Sequence, residues 1–397
     1  MAGALLACSS EGAQTPWSLM GRIETGAFTA GFTVLQTTDP SRTDASGSPR
    51  PIQIAVWYPA KKIPGAAPPS FMRYNEYVRL NTNERTLAPV TSEEERATLV
   101  AYRDFLVKEG IARTAATAWM NTEMTAVRNA EPAAGRFPLV LLAQGNGGAA
   151  QDQALLGEYL ASYGWVVATS PSPSRLAEPA EGTAGIFVNA SQQARDLSEI
   201  LWRLESFPSA DTRRLAAIGY SFGARAALLL ALRHPEVLAL VSIDGGIGNQ
   251  LGRDWLRGAP LDPRSLTTPL LHFFEDGDEA MVPDLPQLAS FLRSDRLIVK
   301  VSGMRHLDFT TLGMARALVP GVGASKTPDP EIETRFGAVL RYTRAFLEAR
   351  LEGSERETAF LAAEPSAHGL GAALPRLIRM PPKAEAAKPR RKARGRG

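Results

Sequence analysis

Between Phe137 and Leu351 the chain alternates short, unbroken apolar runs with longer stretches whose apolar residues recur at helical spacing. A run with no polar alternate fits a strand buried on both faces, because a half-exposed strand alternates. Strands of that kind, separated by helices, pair in parallel as each crossover returns over one face of the sheet. Six runs qualify: Pro138–Ala143, Trp165–Ser170, Leu215–Tyr220, Val237–Ile243, Pro269–Phe274 and Leu297–Val301. The clearest helix is Ser191–Ser206, with Ala194, Leu197, Leu201 and Leu204 on one face, and another runs from about Ile332 to Leu351. The expected class is α/β, with a mostly parallel central sheet and helices on both faces.

Upstream, Phe32–Gln36 and Ile52–Tyr58 alternate as strands, the second ended by Pro59. Asp39–Pro51, rich in Ser, Asp, Gly and Pro, reads as a long turn between them. Residues 80–130 look helical. There Ser92 with Glu95 fits a capping box, Leu99, Tyr102, Phe105 and Leu106 form a stripe, and Gly110 fits a stop. Met120, Met124 and Val127 suggest a second stripe. This insertion reads either as two helices packed on the core or as a lid over an acyl pocket, since Met and Trp119 suit adaptable apolar surfaces. The expected organisation is an N-terminal segment over 1–27, one domain over 28–352 with the helical insertion, and a low-complexity tail over 353–397 expected to be disordered.

Charge is unevenly placed. The whole chain carries +3, but residues 381–397 alone hold seven Lys or Arg and one Glu, so the remainder carries −3. An acidic body argues against a nucleic-acid-binding fold. The tail reads as solvated, or as a contact for anionic lipid or cell-surface polymer. The longest apolar run, Ala226–Leu232, is far short of the roughly 18 residues a membrane span needs. Cys8 is the single cysteine, which excludes an intramolecular disulfide and a Cys-based metal site. Four histidines without a His-Glu-x-x-His pattern argue against a zinc enzyme. Leu5-Leu6-Ala7-Cys8 looks like a bacterial lipobox, with Cys8 as a lipid anchor, although no charged start and apolar core precede it. A start site assigned too far downstream and an incidental cysteine both fit. The sequence upstream of Met1 decides between them. Cell envelope or secreted is the favoured location over cytoplasmic.

Gly219-Tyr220-Ser221-Phe222-Gly223 follows the apolar run from Leu215 and opens a helical stretch, Ala224–Arg233. That context marks a nucleophile elbow, a sharp strand-to-helix turn that exposes a serine. The glycines remove side chains where strand and helix nearly touch, and Ala224, Ala226 and Ala227 let the helix pack closely. Ser221 at a helix N-terminus meets backbone donors that favour developing negative charge. An oxyanion hole needs two such donors. Phe222 supplies one, and the loop Gln144-Gly145-Asn146-Gly147-Gly148 after an early strand supplies the other, from Asn146. A nucleotide-phosphate loop is the rival reading, but neither a G-x-G-x-x-G with an acidic partner nor a Walker lysine is present.

The base is one of four histidines. His234, before Pro235, is placed to cap helix carbonyls. His272 lies inside an apolar strand and reads as buried and hydrogen-bonded. His368 lies in the weakly patterned C-terminal region. His306 lies in a loop between the last run and the last helix, where the base falls when the order is Ser, acid, His. For the acid, Asp244 ends the run after the nucleophile unit, and Glu275, Asp276 and Asp278 follow the next. Both sets fall at carboxyl ends of parallel strands. Asp244 is favoured because Gly245-Gly246 lets the chain turn sharply there.

The segments Val56-Trp-Tyr-Pro-Ala60, Gln144-Gly-Asn-Gly147, Gly219–Gly223, Ser242-Ile-Asp-Gly245 and His306-Leu-Asp-Phe-Thr310 carry a resemblance. Over about residues 28–350 the chain is similar to the α/β-hydrolase superfamily, nearest the platelet-activating-factor-acetylhydrolase-like and dienelactone-hydrolase-like esterases. The acetylhydrolase branch implies Asp244 over Asp278. Gln144 is a departure, since relatives often have His-Gly there. Dienelactone hydrolases proper use a cysteine nucleophile, so Ser221 counts against that activity.

The expected activity is therefore a serine carboxylic-ester hydrolase acting on a short- or medium-acyl ester, with a small-molecule substrate that includes lipid esters. No metal and no organic cofactor is implied. The rivals are a depolymerase of polyesters or cell-wall esters, and a non-catalytic hydrolase fold that binds a lipid or a partner protein.

Overall fold

The computed structural model describes residues 18–43, 47–62, 70–176, 182–258, 262–275, 277, 281–323 and 329–383. Cys8, Asp276, Asp278 and the basic run after 383 lie outside the described residues. One sheet holds β1 (Thr29–Thr43), β2 (Pro49–Ala60), β3 (Ala126–Arg128), β4 (Phe137–Ala143), β5 (Val166–Thr169), β6 (Ala210–Tyr220), β7 (Val237–Ile243), β8 (Leu270–Phe274), β9 (Arg296–Lys300) and β10 (Arg376–Met380). Their spatial order is β10-β9-β8-β7-β6-β4-β5-β2-β1-β3. The block from β9 to β5 is parallel throughout. The β1–β2 hairpin joins β5 antiparallel, and β10 closes the other end antiparallel to β9.

All six apolar runs become strands of the parallel block, and β6 begins at Ala210, upstream of the expected Leu215. Their lack of alternation has a direct cause. Along β4, Val140 and Leu142 face the helices Ala154–Ser162 and Pro330–Leu351, while Leu139 and Leu141 face the helices Gly182–Leu204 and Gly223–Arg233. Both faces are dry, so every position is apolar.

Several expectations are corrected. The long turn over Asp39–Pro51 is shorter, because β1 runs to Thr43 and β2 starts at Pro49. Buried charge holds these strand ends: Arg42 and Arg50 reach Asp196 at 2.6 and 2.8 Å. Pro59 does not end β2, since Pro59 pairs with Ala30 and the strand reaches Ala60. The capping box of the helix Ser92–Lys108 is Thr91 with Glu94, one residue before the expected pair. In its stripe Leu106 is buried but Phe105 is 53% exposed. Met124 and Val127 are not helical, because the helix Arg113–Met120 stops and Val127 pairs with Gly31 in β3.

At the C-terminal end, residues expected to be disordered are ordered up to 383. The helix Glu355–Ala362 buries Leu361, and its Glu357 meets Arg341 at 2.6 Å. The Arg379 side chain of β10 donates to the carbonyls of Leu361, Ala362 and Ala363. A short, half-exposed strand with two arginines finds stability here from an open sheet edge that sequence periodicity cannot display. In the N-terminal segment Leu19 and Met20 are buried, and Ser18 bridges Glu123. Among the described residues no helix is long and apolar enough to cross a membrane.

Candidate active site

The turn after β6 holds Ser221 at φ +52°, in the left-handed region a non-glycine residue rarely adopts. Its neighbours explain how the turn is kept. A Cβ on Gly219 would stand 2.4 Å from the Ala224 Cα, and one on Gly223 would stand 2.2 Å from the Ala143 carbonyl oxygen. Only glycine fits either position. Ser221 N donates to Ile243 O at 3.1 Å, and Gly246 N donates to Ser221 O at 2.8 Å, which ties the turn to the end of β7.

Three of the expected residues come together. His306 Nε2 lies 2.8 Å from Ser221 Oγ, and His306 Nδ1 lies 2.5 Å from Asp244 Oδ2. The Asp244 side chain is 5% exposed and that of His306 is 13% exposed. Asp244 stands at the end of β7 with φ +40°, a second left-handed residue in the site. Its backbone N donates to Phe273 O at 3.0 Å, and its Oδ1 accepts the Glu275 backbone N–H at 3.3 Å. One carboxylate oxygen is thereby held by the chain and the other faces the imidazole. Ser221 and Asp244 sit on neighbouring parallel strands, at the carboxyl ends where α/β sites form.

The histidine loop is fastened from several directions. Tyr220 Oη donates to the His306 carbonyl at 2.9 Å, and the Tyr220 ring stacks on the imidazole at 5.0 Å. Asp308 accepts the Arg305 backbone N–H at 2.9 Å and an Arg316 guanidinium N–H at 2.5 Å. Gln153 Nε2 donates to Phe309 O, and Thr311 Oγ1 donates to Asp152 O, docking this loop on the segment that follows the glycine-rich loop. Sequence reasoning missed Tyr220, Asp308 and Arg316. Tyr220 occupies a variable position of the five-residue motif, and Asp308, although inside the His306–Thr310 segment, has its partner Arg316 on the next helix, so no local pattern marks the stacking or the ion pair.

The glycine-rich loop passes directly over the turn, since a Cβ on Gly145 would lie 3.4 Å from the Ser221 Cβ. Its conformation is set by outside partners. Gly147 N donates to Ser174 Oγ at 2.8 Å, Gly148 N to Gly145 O at 3.0 Å, and Arg175 donates to Gly147 O at 3.1 Å. Among the described residues, the backbone N–H groups of Asn146 and Phe222 make no hydrogen bond to the protein. At the departure position, the Gln144 side chain is fully buried and donates to Thr169 Oγ1 at 3.1 Å. There it ties β4 to β5.

The other histidines are engaged elsewhere. His368 Nε2 donates to Phe360 O at 2.9 Å. His234 does not cap carbonyls with its ring: Nε2 meets Ser198 Oγ and Nδ1 meets Glu236, both at 2.9 Å. His272 is buried with Nδ1 2.9 Å from Ser242 Oγ, and burial pulls its pKa down to about 3. Its ring is neutral when folded and charges more readily when unfolded. It therefore contributes stability that is fully present above about pH 6.5, the ordinary histidine value, and lost as pH falls toward 3. We expect the urea midpoint to fall over that window and to fall less steeply in His272→Gln. Equal slopes would remove His272 as the cause.

No family model matches the chain, and no curated protein matches it. Among solved structures it is similar to a ferulic acid esterase from Streptomyces cinnamoneus. The TM-score is 0.60 at 22% identity, covering 90% of this chain and 98% of that one. The sheet order, the crossovers and this likeness show an α/β-hydrolase fold.

Proposed function

We propose that the chain is a serine carboxylic-ester hydrolase working through an acyl-enzyme. The observation that carries the reading is the hydrogen-bonded chain from Ser221 through His306 to Asp244. Ser221 Oγ attacks the ester carbonyl carbon as its proton moves to His306 Nε2. Asp244 orients the imidazole and stabilises the imidazolium without taking the proton. The backbone N–H groups of Phe222 and Asn146 hold the oxyanion, which suits the absence of protein acceptors for both among the described residues. When the carbon–oxygen bond breaks, His306 gives its proton to the leaving alkoxide. Water then attacks the acyl-enzyme, with His306 as base, and the carboxylic acid leaves while Ser221 regains its proton.

The substrate class is a short- or medium-acyl ester of the acetylhydrolase kind. The similar structure's name brings a feruloyl ester into the comparison. The test joins two measurements. A fluorophosphonate probe is expected to label the protein at Ser221, and 4-nitrophenyl esters from acetate to palmitate, with a methyl ferulate arm, are expected to show fastest turnover at short or medium acyl length. No label on Ser221 would favour a non-catalytic binding protein, and turnover confined to long chains would overturn the acyl range.

A further inference from the structure

Among the described residues, the helix that follows Ser221 carries a buried cation without a counter-ion. Arg225 lies in its first turn and is 6% exposed. Its Nε donates to Gly246 O at 3.0 Å, and among the described residues its guanidinium makes no other hydrogen bond and meets no carboxylate. Other buried arginines are better served. Arg50 makes two bonds to Asp196, and Arg344 pairs with Glu348. Arg296 donates to three carbonyls. Burial alone pulls the Arg225 pKa down to about 10.

The surroundings of this guanidinium are aromatic and short of acceptors. Its Cζ lies 5.5 Å from the Phe222 ring centre and 5.9 Å from that of Trp255. Trp255 is 1% exposed, and among the described residues its indole N–H has no hydrogen-bond partner. Among the described residues these two neighbouring side chains have one acceptor, the Gly246 carbonyl, and it is held by Arg225. A buried donor without an acceptor costs about 1–3 kcal/mol, and an unpaired buried charge costs more. The position is next to the proposed chemistry. Gly246, whose carbonyl Arg225 holds, donates its own N–H to Ser221 O, and Phe222 is the residue after the nucleophile.

We propose that Arg225, with the Trp255 indole N–H, is a specificity-determining subsite that binds a carboxylate carried by the ester substrate. Resting on the esterase reading, this narrows the substrate class to esters with a second, anionic group. A carboxylate accepts from the guanidinium and the indole at once, and charge-assisted bonds in a dry aromatic site are among the stronger ones. Phe222 and Trp255 suit the apolar part of the same molecule.

The carboxylate has two sources, the acyl chain or the alcohol, and two matched pairs separate them. Mono-4-nitrophenyl adipate is compared with 4-nitrophenyl hexanoate, and 4-acetoxybenzoate with phenyl acetate. In one pair the full-length protein is expected to favour the charged member by about tenfold or more in kcat/KM, mostly through KM. Arg225→Met is expected to erase that ratio and Arg225→Lys to retain part of it. A merely structural Arg225 would lower charged and neutral esters alike and leave the ratio intact. Should Arg225→Met fail to fold, the ratio in the unaltered protein still decides, together with competitive inhibition by adipate against 1,6-hexanediol. Hydrolysis of the neutral esters without a charge preference in either pair overturns the subsite and leaves the esterase reading standing. No hydrolysis of any of the four, with no fluorophosphonate label, overturns both.

Discussion

Ser221→Ala is expected to lower kcat/KM for 4-nitrophenyl acetate by about 10^4- to 10^6-fold, with the denaturation midpoint little changed. The size follows from what is removed. Without Oγ no acyl-enzyme forms, and His306 loses its hydrogen-bond partner at 2.8 Å. What remains are the proposed oxyanion donors acting on a water, worth a residual rate above background. Stability should hold, because Ser221 is only half-buried, its hydroxyl fills no core cavity, and alanine meets the left-handed backbone of this position (φ +52°) at a cost like that of serine. The measurement is steady-state hydrolysis beside a urea melt. Activity near wild type would mean that another residue is the nucleophile.

Asp244→Asn is expected to lower kcat by about 10^3- to 10^4-fold, nearly as far. The amide can present its N–H to His306 Nδ1, which fixes the wrong tautomer and leaves Nε2 unable to take the serine proton. The imidazolium also loses the carboxylate 2.5 Å away. Asp278→Asn is the matched control, expected to change the rate by less than about twofold, because Asp244 already holds His306 Nδ1. Equal, mild losses in both would mean that neither is the triad acid. A large loss in Asp278→Asn alone would move the acid to the loop after β8.

Much of this molecule was legible from the chain. The six apolar runs gave the parallel block because a strand buried on both faces has no polar position to betray a face, and Val140 with Leu141 shows both sides in use. The elbow was legible because its glycines answer a local steric demand, which Gly219 and Gly223 meet within one turn of chain. The ends read poorly for the same physical reason in reverse. β10 depends on the free edge of β9, and Leu19 and Met20 depend on a core assembled from distant segments. The insertion read as helical but lost its second stripe, since Val127 found a partner in β1.

The sequence by itself therefore determined the layers of the fold, the sharp turn at Ser221 and a short set of candidate partners, because these rest on periodicity and on local sterics. Only the tertiary structure brought His306 to Ser221 and to Asp244, across separations of 85 and 62 residues along the chain. It alone showed Tyr220 stacked on the imidazole and Arg225 buried with no carboxylate against it among the described residues. Distance, burial and the lack of a counter-ion are properties of neighbours in space. A one-dimensional pattern fixes which side chains are available, and the packing of the sheet and its crossovers decides which of them meet.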